Sequence, residues 1–262
     1  WPFPTSDSPS ASAIATESRG SHTPTSEAQY KLSERSVRQI SGRRCAQYLR
    51  LLGGSPRSLR ILEVGCGKGD MGVGFGSLGH EYVGIDIDHR VVKEAKGRGI
   101  DARVMDVMDL PTEETFDVIC SSQVLEHIIE PSVFLEASGR HLRPGGVLHV
   151  DVPNQYTLAG WPSLAFGGRH DRWGAIKYPR HCMGYTEQSL RFALSQVVDL
   201  DTRVFRAALD DEVWGQAMDP GLISRAYFLA SRAVRGESLL VALAQSTDST
   251  SRTRSRHSGS GS

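Results

Sequence analysis

The sequence predicts an α/β protein in which a doubly wound, mostly parallel sheet is covered by helices on both faces. Short runs rich in β-branched and aliphatic residues alternate with stretches of helical spacing. A glycine-rich turn joins the first such run to a helix, and the second run ends in an aspartate. Because a βαβ alternation needs crossover connections, it places consecutive strands parallel to one another.

The elements follow one another in a regular order. The first is a helix over residues 30–52, where Val37, Ile40, Tyr48 and Leu51 have helical spacing. Strands are then predicted at 60–64, 82–86, 102–105, 116–120 and 147–152, and helices at 70–79, 89–98 and 131–142. A helical run at 187–192, a strand at about 197–206, a helix at 222–234 and a closing strand at 239–243 complete the domain.

The two ends of the chain differ from this pattern. Residues 1–29 and 246–262 are dominated by Ser, Thr, Pro and Gly, and such segments bury too little apolar surface to offset the entropy of ordering. We therefore expect disordered tails around a domain at 30–245.

Within the domain, the insert 153–180 carries five Tyr, Trp or Phe residues. It is interpreted as an aromatic lid over a ligand or, equally, as a long loop packed on the domain.

Composition excludes several classes of protein. The 262 residues carry 30 Lys and Arg against 30 Asp and Glu, and zero net charge argues against a polyanion as the main partner. No run approaches the ~18 apolar residues of a membrane span. The four cysteines are scattered without a CxxC pair, which favours a reduced, cytoplasmic compartment.

The most informative segment is Leu62–Gly69, in which a strand runs into a Gly-x-Gly-x-Gly turn. Glycines permit backbone angles that other residues avoid and let a ligand approach the main chain. Asp86 ends the second strand, where a carboxylate can accept both hydroxyls of a ribose. Together they predict a cofactor that contains a nucleoside. Asp86 is also a candidate helix N-cap, because Asp is favoured there.

With Glu63 two positions before the first glycine, the segment resembles the E/D-x-G-x-G-x-G motif of class I S-adenosylmethionine-dependent methyltransferases. Asp106 after the third strand, Leu125-Glu126-His127 after the fourth and Pro144-Gly145-Gly146 before the fifth match the same family in order. The resemblance covers roughly residues 55–245. It implies a Rossmann-like, seven-stranded sheet with an antiparallel last strand, and S-adenosyl-L-methionine as cofactor. It also implies cofactor contacts at Glu63, Gly65, Cys66, Gly67, Gly69, Asp86, Ile87, Asp106, Val107 and Ser122.

A sulfonium donor carries an activated methyl group, so the protein mainly aligns the acceptor. A hydroxyl acceptor also needs a base, and the candidates are His127 and His181. The Tyr178–His181 segment resembles that of small-molecule members of the family, although both histidines also have structural interpretations. Some quinone-pathway O-methyltransferases bind a metal through E-x-x-E-H. Because Gln123 stands at the first acidic position here, we predict no metal.

The leading hypothesis is therefore methyl transfer to a small molecule, at a hydroxyl, by an enzyme that resembles the quinone-pathway O-methyltransferases. Methylation of RNA or protein, a nicotinamide oxidoreductase, and a non-catalytic subunit that binds the cofactor remain as alternatives. The GxGxG spacing disfavours the nicotinamide enzyme, whose loop usually reads GxGxxG. The expected partner is a small-molecule acceptor, without a nucleic acid or a membrane, and the oligomeric state stays open.

Overall fold

The computed structural model describes residues 34–54, 57–155, 181–197, 200–207 and 239–246. All of them belong to one compact unit, Leu32–Ser262. The helices are α1 (Glu34–Leu51), α2 (Asp70–Ser77), α3 (His89–Gly97), α4 (Pro131–Arg140) and α5 (Glu187–Ser195). The strands are β1 (Arg60–Val64), β2 (Glu81–Asp86), β3 (Ala102–Val104), β4 (Phe116–Ser122), β5 (Leu142–Pro153), β6 (Leu200–Ala207) and β7 (Leu239–Ser246).

The seven strands form one sheet in the order β3-β2-β1-β4-β5-β7-β6. The pairs among β1 to β5 are parallel, while β7 pairs antiparallel with both β5 and β6. The strand order reverses between β1 and β4, and ligands of such sheets bind beyond the carboxyl ends of the strands at this switch point. The predicted doubly wound fold with an antiparallel last strand is confirmed.

Hydrophobic side chains cover both faces of the sheet because successive strand residues point to opposite sides. Ile61 packs in one cluster with Tyr48 of α1 and Phe75 of α2. Its neighbour Leu62 packs in the other cluster, which includes Leu135 of α4. Each fully buried side chain of this size contributes about 1.5–3 kcal/mol, so helices on both faces stabilise the sheet.

Helix α1 lies close to α2 through small residues. The buried stripe of α1 is formed by Val37, Ser41, Cys45 and Tyr48, at the spacing of one helix face. A Cβ added at Gly74 of α2 would overlap the Ser41 side chain. The two helices can therefore approach this closely only with glycine at this position.

The start of β5 differs from the sequence prediction. A helix was expected to continue to residue 142 and a strand to begin at 147, but α4 ends at Arg140 and β5 begins at Leu142. Leu142 pairs with Phe116, and the register shifts before the next pair. Gly145 has φ 74°. The Pro-Gly-Gly segment thus forms a bulged entry to the strand rather than a break before it, as Gly commonly does in β-bulges.

Some predictions concern parts of the chain outside the described residues. These are the tail 1–29, the helix at 222–234, positions 156–180 of the aromatic insert and positions 247–262 of the predicted tail 246–262. The first residue of that tail, Ser246, instead ends β7. Among the helices that the structure does describe, none has the length and apolar character to cross a bilayer.

Candidate cofactor and acceptor site

The glycine-rich loop follows β1 directly. Gly65, Gly67 and Gly69 have φ of 76°, 52° and 75°, a region in which other residues are strained. The N–H groups of Gly65 and Cys66 both donate to the Ile85 carbonyl of β2, at 2.8 and 3.0 Å. These bonds fix the loop across the ends of β1 and β2.

The surroundings of the loop differ between its glycines. A Cβ added at Gly65 would overlap the side chain of Val124, so glycine is needed there for packing. A Cβ added at Gly67 would meet no heavy atom of the described residues within 4 Å. The main chain at Gly67 therefore borders open space that a ligand can enter.

The Asp86 carboxylate joins this loop to the tip of β2. Its Oδ2 accepts the Gly67 N–H at 2.9 Å, and its Oδ1 accepts the Asp88 N–H at 2.9 Å. The N-cap of α3 is Asp88, whose side chain accepts the Arg90 N–H, so Asp86 does not have the capping role that sequence left open. Two backbone donors thus orient a half-buried carboxylate beside the loop, and each of its oxygens keeps further accepting capacity.

Asp106 follows β3 next to the tip of β2. The Met105 N–H donates to the Asp86 carbonyl at 3.1 Å, and Asp106 itself accepts the Met108 N–H at 3.0 Å as the N-cap of a short 3₁₀ helix. Two large apolar side chains are exposed here, Ile87 at 61 % and Met108 at 59 %. These exposed side chains follow the same two strands as Asp86 and Asp106.

Three of the predicted cofactor residues, Glu63, Cys66 and Val107, have buried side chains. The Glu63 carboxylate accepts a short hydrogen bond from the Tyr82 hydroxyl. Burial raises the pKa of Glu63 to about 7, although the Tyr82 bond and the Arg44 charge act in the opposite direction. The structure therefore places these three side chains in the interior.

Arg44 of α1 is a site residue that the sequence analysis missed. Its guanidinium donates to Ser122 Oγ at 2.9 Å and to Asp151 Oδ2 at 3.0 Å, at the carboxyl ends of β4 and β5. Burial acts to lower the pKa of Arg44, but the Asp151 carboxylate together with Tyr48, Cys120 and Glu63 outweighs it, so the pKa is raised. A sequence signal could have identified Arg44, because it directly precedes Cys45, a residue of the buried stripe of α1.

The loop after β4 is anchored to the same carboxylate. Gln123 has φ 57° and is the only non-glycine residue with positive φ in the described part of the chain. Its Nε2 donates to Asp151 Oδ1 at 3.2 Å, and its backbone N–H donates to the Asp151 carbonyl at 2.9 Å. Strained backbone of this kind persists where surrounding contacts over-determine it, often at functional sites.

His149 of β5 is buried and lies between Tyr48 and Asp151. Its Nδ1 lies 2.5 Å from the Tyr48 hydroxyl, and its Nε2 lies 3.6 Å from Asp151 Oδ2. Burial lowers the pKa of His149 to about 3, with a further contribution from Arg44. The imidazole is therefore neutral at ordinary pH and serves as a polar link between α1 and the sheet.

The two candidate bases meet although they are far apart in sequence. The rings of His127 and His181 stand edge to face, with centroids 4.8 Å apart. The N–H groups of Cys182 and Met183 donate to the Glu126 carbonyl at 2.8 and 3.1 Å. These bonds hold the segment after the aromatic insert against the short 3₁₀ helix Leu125–His127.

Glu126 completes this cluster with a buried carboxylate. Its Oε1 lies 4.0 Å from His127 Nε2, and its Oε2 has no hydrogen-bond partner among the described residues. Burial raises the pKa of Glu126 to about 7, while a bond from its own backbone N–H acts in the opposite direction. Glu126, His127 and His181 each offer one potential metal-ligand atom, and these three atoms lie within 4.8 Å of one another.

The structure thus brings the predicted residues to one edge of the sheet in two groups. The loop glycines, Asp86 and Asp106 form the first group at β1, β2 and β3, and the two histidines form the second after β4. The predicted lid residues of the aromatic insert at 156–180 lie outside the described residues.

Comparison with known proteins supports one family. A family model described as a methyltransferase domain matches residues 36–197. A ubiquinone biosynthesis O-methyltransferase from Xanthomonas oryzae pv. oryzae is 36 % identical over 108 residues, which are 38 % of this chain and 45 % of that protein. One of the same name from Nitrobacter winogradskyi is 29 % identical over 186 residues, 58 % of this chain and 69 % of that protein. The chain thus spans just under half the length of the first of these relatives.

Solved structures agree on the fold. A magnesium protoporphyrin IX methyltransferase from Synechocystis PCC 6803, with bound SAH, superposes with a TM-score of 0.53 at 15 % identity over 91 % of this chain and 95 % of its own. An S-adenosylmethionine-dependent methyltransferase from Mesorhizobium loti superposes with a TM-score of 0.52 at 20 % identity over 76 % of this chain and 97 % of its own.

Proposed function

Because this chain belongs to the class I S-adenosylmethionine-dependent methyltransferases, we propose that it transfers the methyl group of S-adenosyl-L-methionine to a hydroxyl group of a small molecule. The observation that carries the proposal is the Asp86 carboxylate, fixed by the N–H of Gly67 beside open space. This arrangement offers a ribose two accepting oxygens and a main chain that a ligand can approach.

The remaining predicted residues extend this cofactor site. Asp106 follows the neighbouring strand and offers its carboxylate to the amino group of an adenine. The exposed side chains of Ile87 and Met108 offer apolar contacts to the faces of the base. Ser122, held by Arg44 at the end of β4, lies toward the acceptor side. We propose that these groups orient the nucleoside so that its sulfonium faces the end of β4.

The acceptor side is proposed to use His127 and His181. A hydroxyl acceptor must lose its proton as the methyl group arrives, and an imidazole suits this role near neutral pH. The His127 side chain is 43 % exposed, so an acceptor can reach it. The names of the relatives, which are O-methyltransferases of ubiquinone biosynthesis, support a small hydroxyl-bearing acceptor. A reduced compartment is proposed because all four cysteines are free.

Calorimetry with S-adenosylhomocysteine and with NAD tests the cofactor. We expect binding of S-adenosylhomocysteine and none of NAD, and the reverse pattern would overturn the proposal. Transfer of a labelled methyl group to a metabolite extract, to RNA and to protein then tests the acceptor. We expect label in the metabolites, whereas label only in RNA or protein would contradict the small-molecule assignment.

Variants of the two histidines test the base. His181→Ala and His127→Ala are expected to lower turnover of a hydroxyl acceptor while the affinity for S-adenosylhomocysteine stays unchanged. His89→Ala, at an exposed position in the first turn of α3, is the matched control and should keep the wild-type rate. A wild-type rate in either site variant removes that histidine from the proposed role.

A further inference from the structure

The carboxylate of Asp151 gathers the polar contacts at the ends of β4 and β5. Its Oδ2 accepts hydrogen bonds from Ser122 at 2.7 Å and from Arg44 at 3.0 Å. Its Oδ1 accepts a hydrogen bond from the Gln123 side-chain amide at 3.2 Å. Asp151 is only 2 % exposed, so little water can reach it to replace a lost contact. One buried carboxylate therefore connects α1, the end of β4 and the first residue of the loop that follows β4.

The loop after β4 lies between the glycine-rich loop and the two histidines. Val124 packs against the glycine-rich loop, since a Cβ added at Gly65 would overlap the Val124 side chain. His127 lies at the other end of the loop after β4, and its side chain is exposed. Two backbone bonds to the Glu126 carbonyl hold the segment that follows His181. The path of this loop therefore sets where the proposed bases lie relative to the glycine-rich loop.

The backbone of Gln123 indicates that this path is imposed by its contacts. Its φ of 57° lies in the left-handed region, which costs free energy in a residue that has a Cβ atom. Besides the side-chain bond to Asp151, the Gln123 N–H donates to the Asp151 carbonyl at 2.9 Å. These two bonds hold a backbone conformation that glutamine does not adopt by its own preference.

We propose that Asp151 is a positioning residue for methyl transfer: by fixing Gln123, it sets the path of the loop that presents His127 to the acceptor. The carboxylate acts through the loop and takes no part in the chemical step. Because aligning the acceptor with the sulfonium is the main task of the enzyme, a shift of this loop lowers the turnover number more than the affinity for the cofactor. The kinetic consequence rests on the proposed function, whereas the placement of the two histidines can be measured without methyl transfer.

The deciding variant, made in the full chain, is Gln123→Gly. Glycine adopts positive φ without strain, and loss of the exposed Gln123 side chain leaves no cavity in the core. Relief of strain and loss of the bond to Asp151 oppose one another, so the midpoint of urea unfolding should stay near that of the wild type. The turnover number for a hydroxyl acceptor should fall about 10- to 100-fold, while the affinity for S-adenosylhomocysteine should not change.

NMR spectra of isotope-labelled protein measure the placement of the histidines directly. The rings of His127 and His181 stand edge to face with centroids 4.8 Å apart, so the ring signals of each depend on the position of the other. His127→Ala and His181→Ala identify these signals. We expect both sets of signals to shift in Gln123→Gly.

Asp151→Asn tests the carboxylate itself, and Asp117→Asn is its matched control. Asp117 is also buried and accepts bonds from Arg57 and Arg143 at 3.2 and 2.9 Å. It lies near the start of β4, whereas Asp151 pairs with Ser122 at the end of that strand. Both variants should lose stability, because each leaves a buried charge pair broken. Only Asp151→Asn should lower the turnover number and shift the signals of the two histidines.

Three outcomes would overturn the proposal: a wild-type turnover number in Gln123→Gly, unchanged histidine signals in that variant, or an equal loss of turnover in Asp117→Asn and Asp151→Asn. If circular dichroism shows that Asp151→Asn does not fold, Gln123→Gly decides alone. A wild-type protein that binds S-adenosylhomocysteine but transfers no methyl group would contradict the proposed function. The histidine signals of Gln123→Gly would then still test the placement of the loop, so the two failures are told apart.

Discussion

Replacing Asp86 by alanine perturbs the cofactor site at the group with the best-defined contacts. The variant removes the acceptor of the Gly67 and Asp88 N–H groups together with the proposed acceptor of the ribose hydroxyls. A lost charge-assisted hydrogen bond to the ligand is worth about 1.5–3 kcal/mol. This corresponds to roughly 10- to 150-fold weaker binding of S-adenosylhomocysteine.

The same variant also loses stability in the absence of ligand, because two partly buried N–H groups lose their acceptor, at about 0.5–1.5 kcal/mol each. Asp88→Ala separates the two effects. It removes the side chain that caps α3 through the Arg90 N–H at 2.9 Å and should cost about 1 kcal/mol of stability. Its affinity for S-adenosylhomocysteine should not change.

Calorimetric titration and urea unfolding of both variants and of the wild type measure these quantities. The reasoning requires that Asp86→Ala loses both affinity and stability, while Asp88→Ala loses stability alone. An affinity equal to wild type in Asp86→Ala would refute the assignment of this carboxylate to the ribose. So would an equal loss of affinity in both variants, since the effect would then come from the local backbone.

Three further variants test the loop, the buried histidine and the contact between the first two helices. Gly67→Ala and Gly99→Ala both place alanine at positive φ in open space and should each lose about 1–2 kcal/mol of stability. Only Gly67→Ala should weaken S-adenosylhomocysteine binding, and equal affinities would contradict the proposed approach of the cofactor to the loop. Burial lowers the pKa of His149 to about 3 in the folded protein, whereas in the unfolded chain the imidazole takes up its proton near pH 6.5. The free energy of unfolding of the wild type therefore falls as the pH drops below about 6.5. The contribution of His149 to this slope is at most about 1.4 kcal/mol per pH unit. His149→Gln should lack this contribution to the slope. Urea unfolding at pH 7 and pH 5 measures the change in stability of both proteins, and an equal change in the two would refute the role of His149. Gly74→Ala should lose about 1–3 kcal/mol of stability by overpacking against α1. Its control, Gly76→Ala, lies on the exposed side of the same helix and should keep or gain stability. Equal melting temperatures of the two variants in thermal unfolding would contradict the close helix contact.

Much of the fold could be predicted from local patterns. The strand β1 and its turn are recognisable because a short aliphatic run meets glycines, the residues that a backbone with positive φ requires. The start of β5 could not be predicted, because Pro144-Gly145-Gly146 has the composition of a break in any local window. Its place in the strand depends on pairing of Leu142 with Phe116, which is a contact between distant parts of the chain.

The candidate site also has one part that local sequence patterns predict and another that depends on contacts between distant segments. The loop glycines and Asp86 lie in two neighbouring βα units, so their spacing along the chain reflects their spacing in the structure. Arg44 and Asp151 are separated by 107 positions, and no spacing rule relates them. For the same reason the sequence shows His127 and His181 as separate candidates, whereas their contact arises only when the chain returns to the end of β4.

The polar contacts of α1 have a consequence for the order of assembly during synthesis. The helix precedes all the described strands, yet its partners His149 and Asp151 follow Tyr48 and Arg44 by 101 and 107 positions. At about 5–20 residues per second, the ribosome needs roughly 5 to 20 s to produce that stretch. During this interval the apolar stripe of α1 can pack against α2, but Arg44 and Tyr48 lack their polar partners. The polar contacts of α1 are thus completed only after β5 has been made.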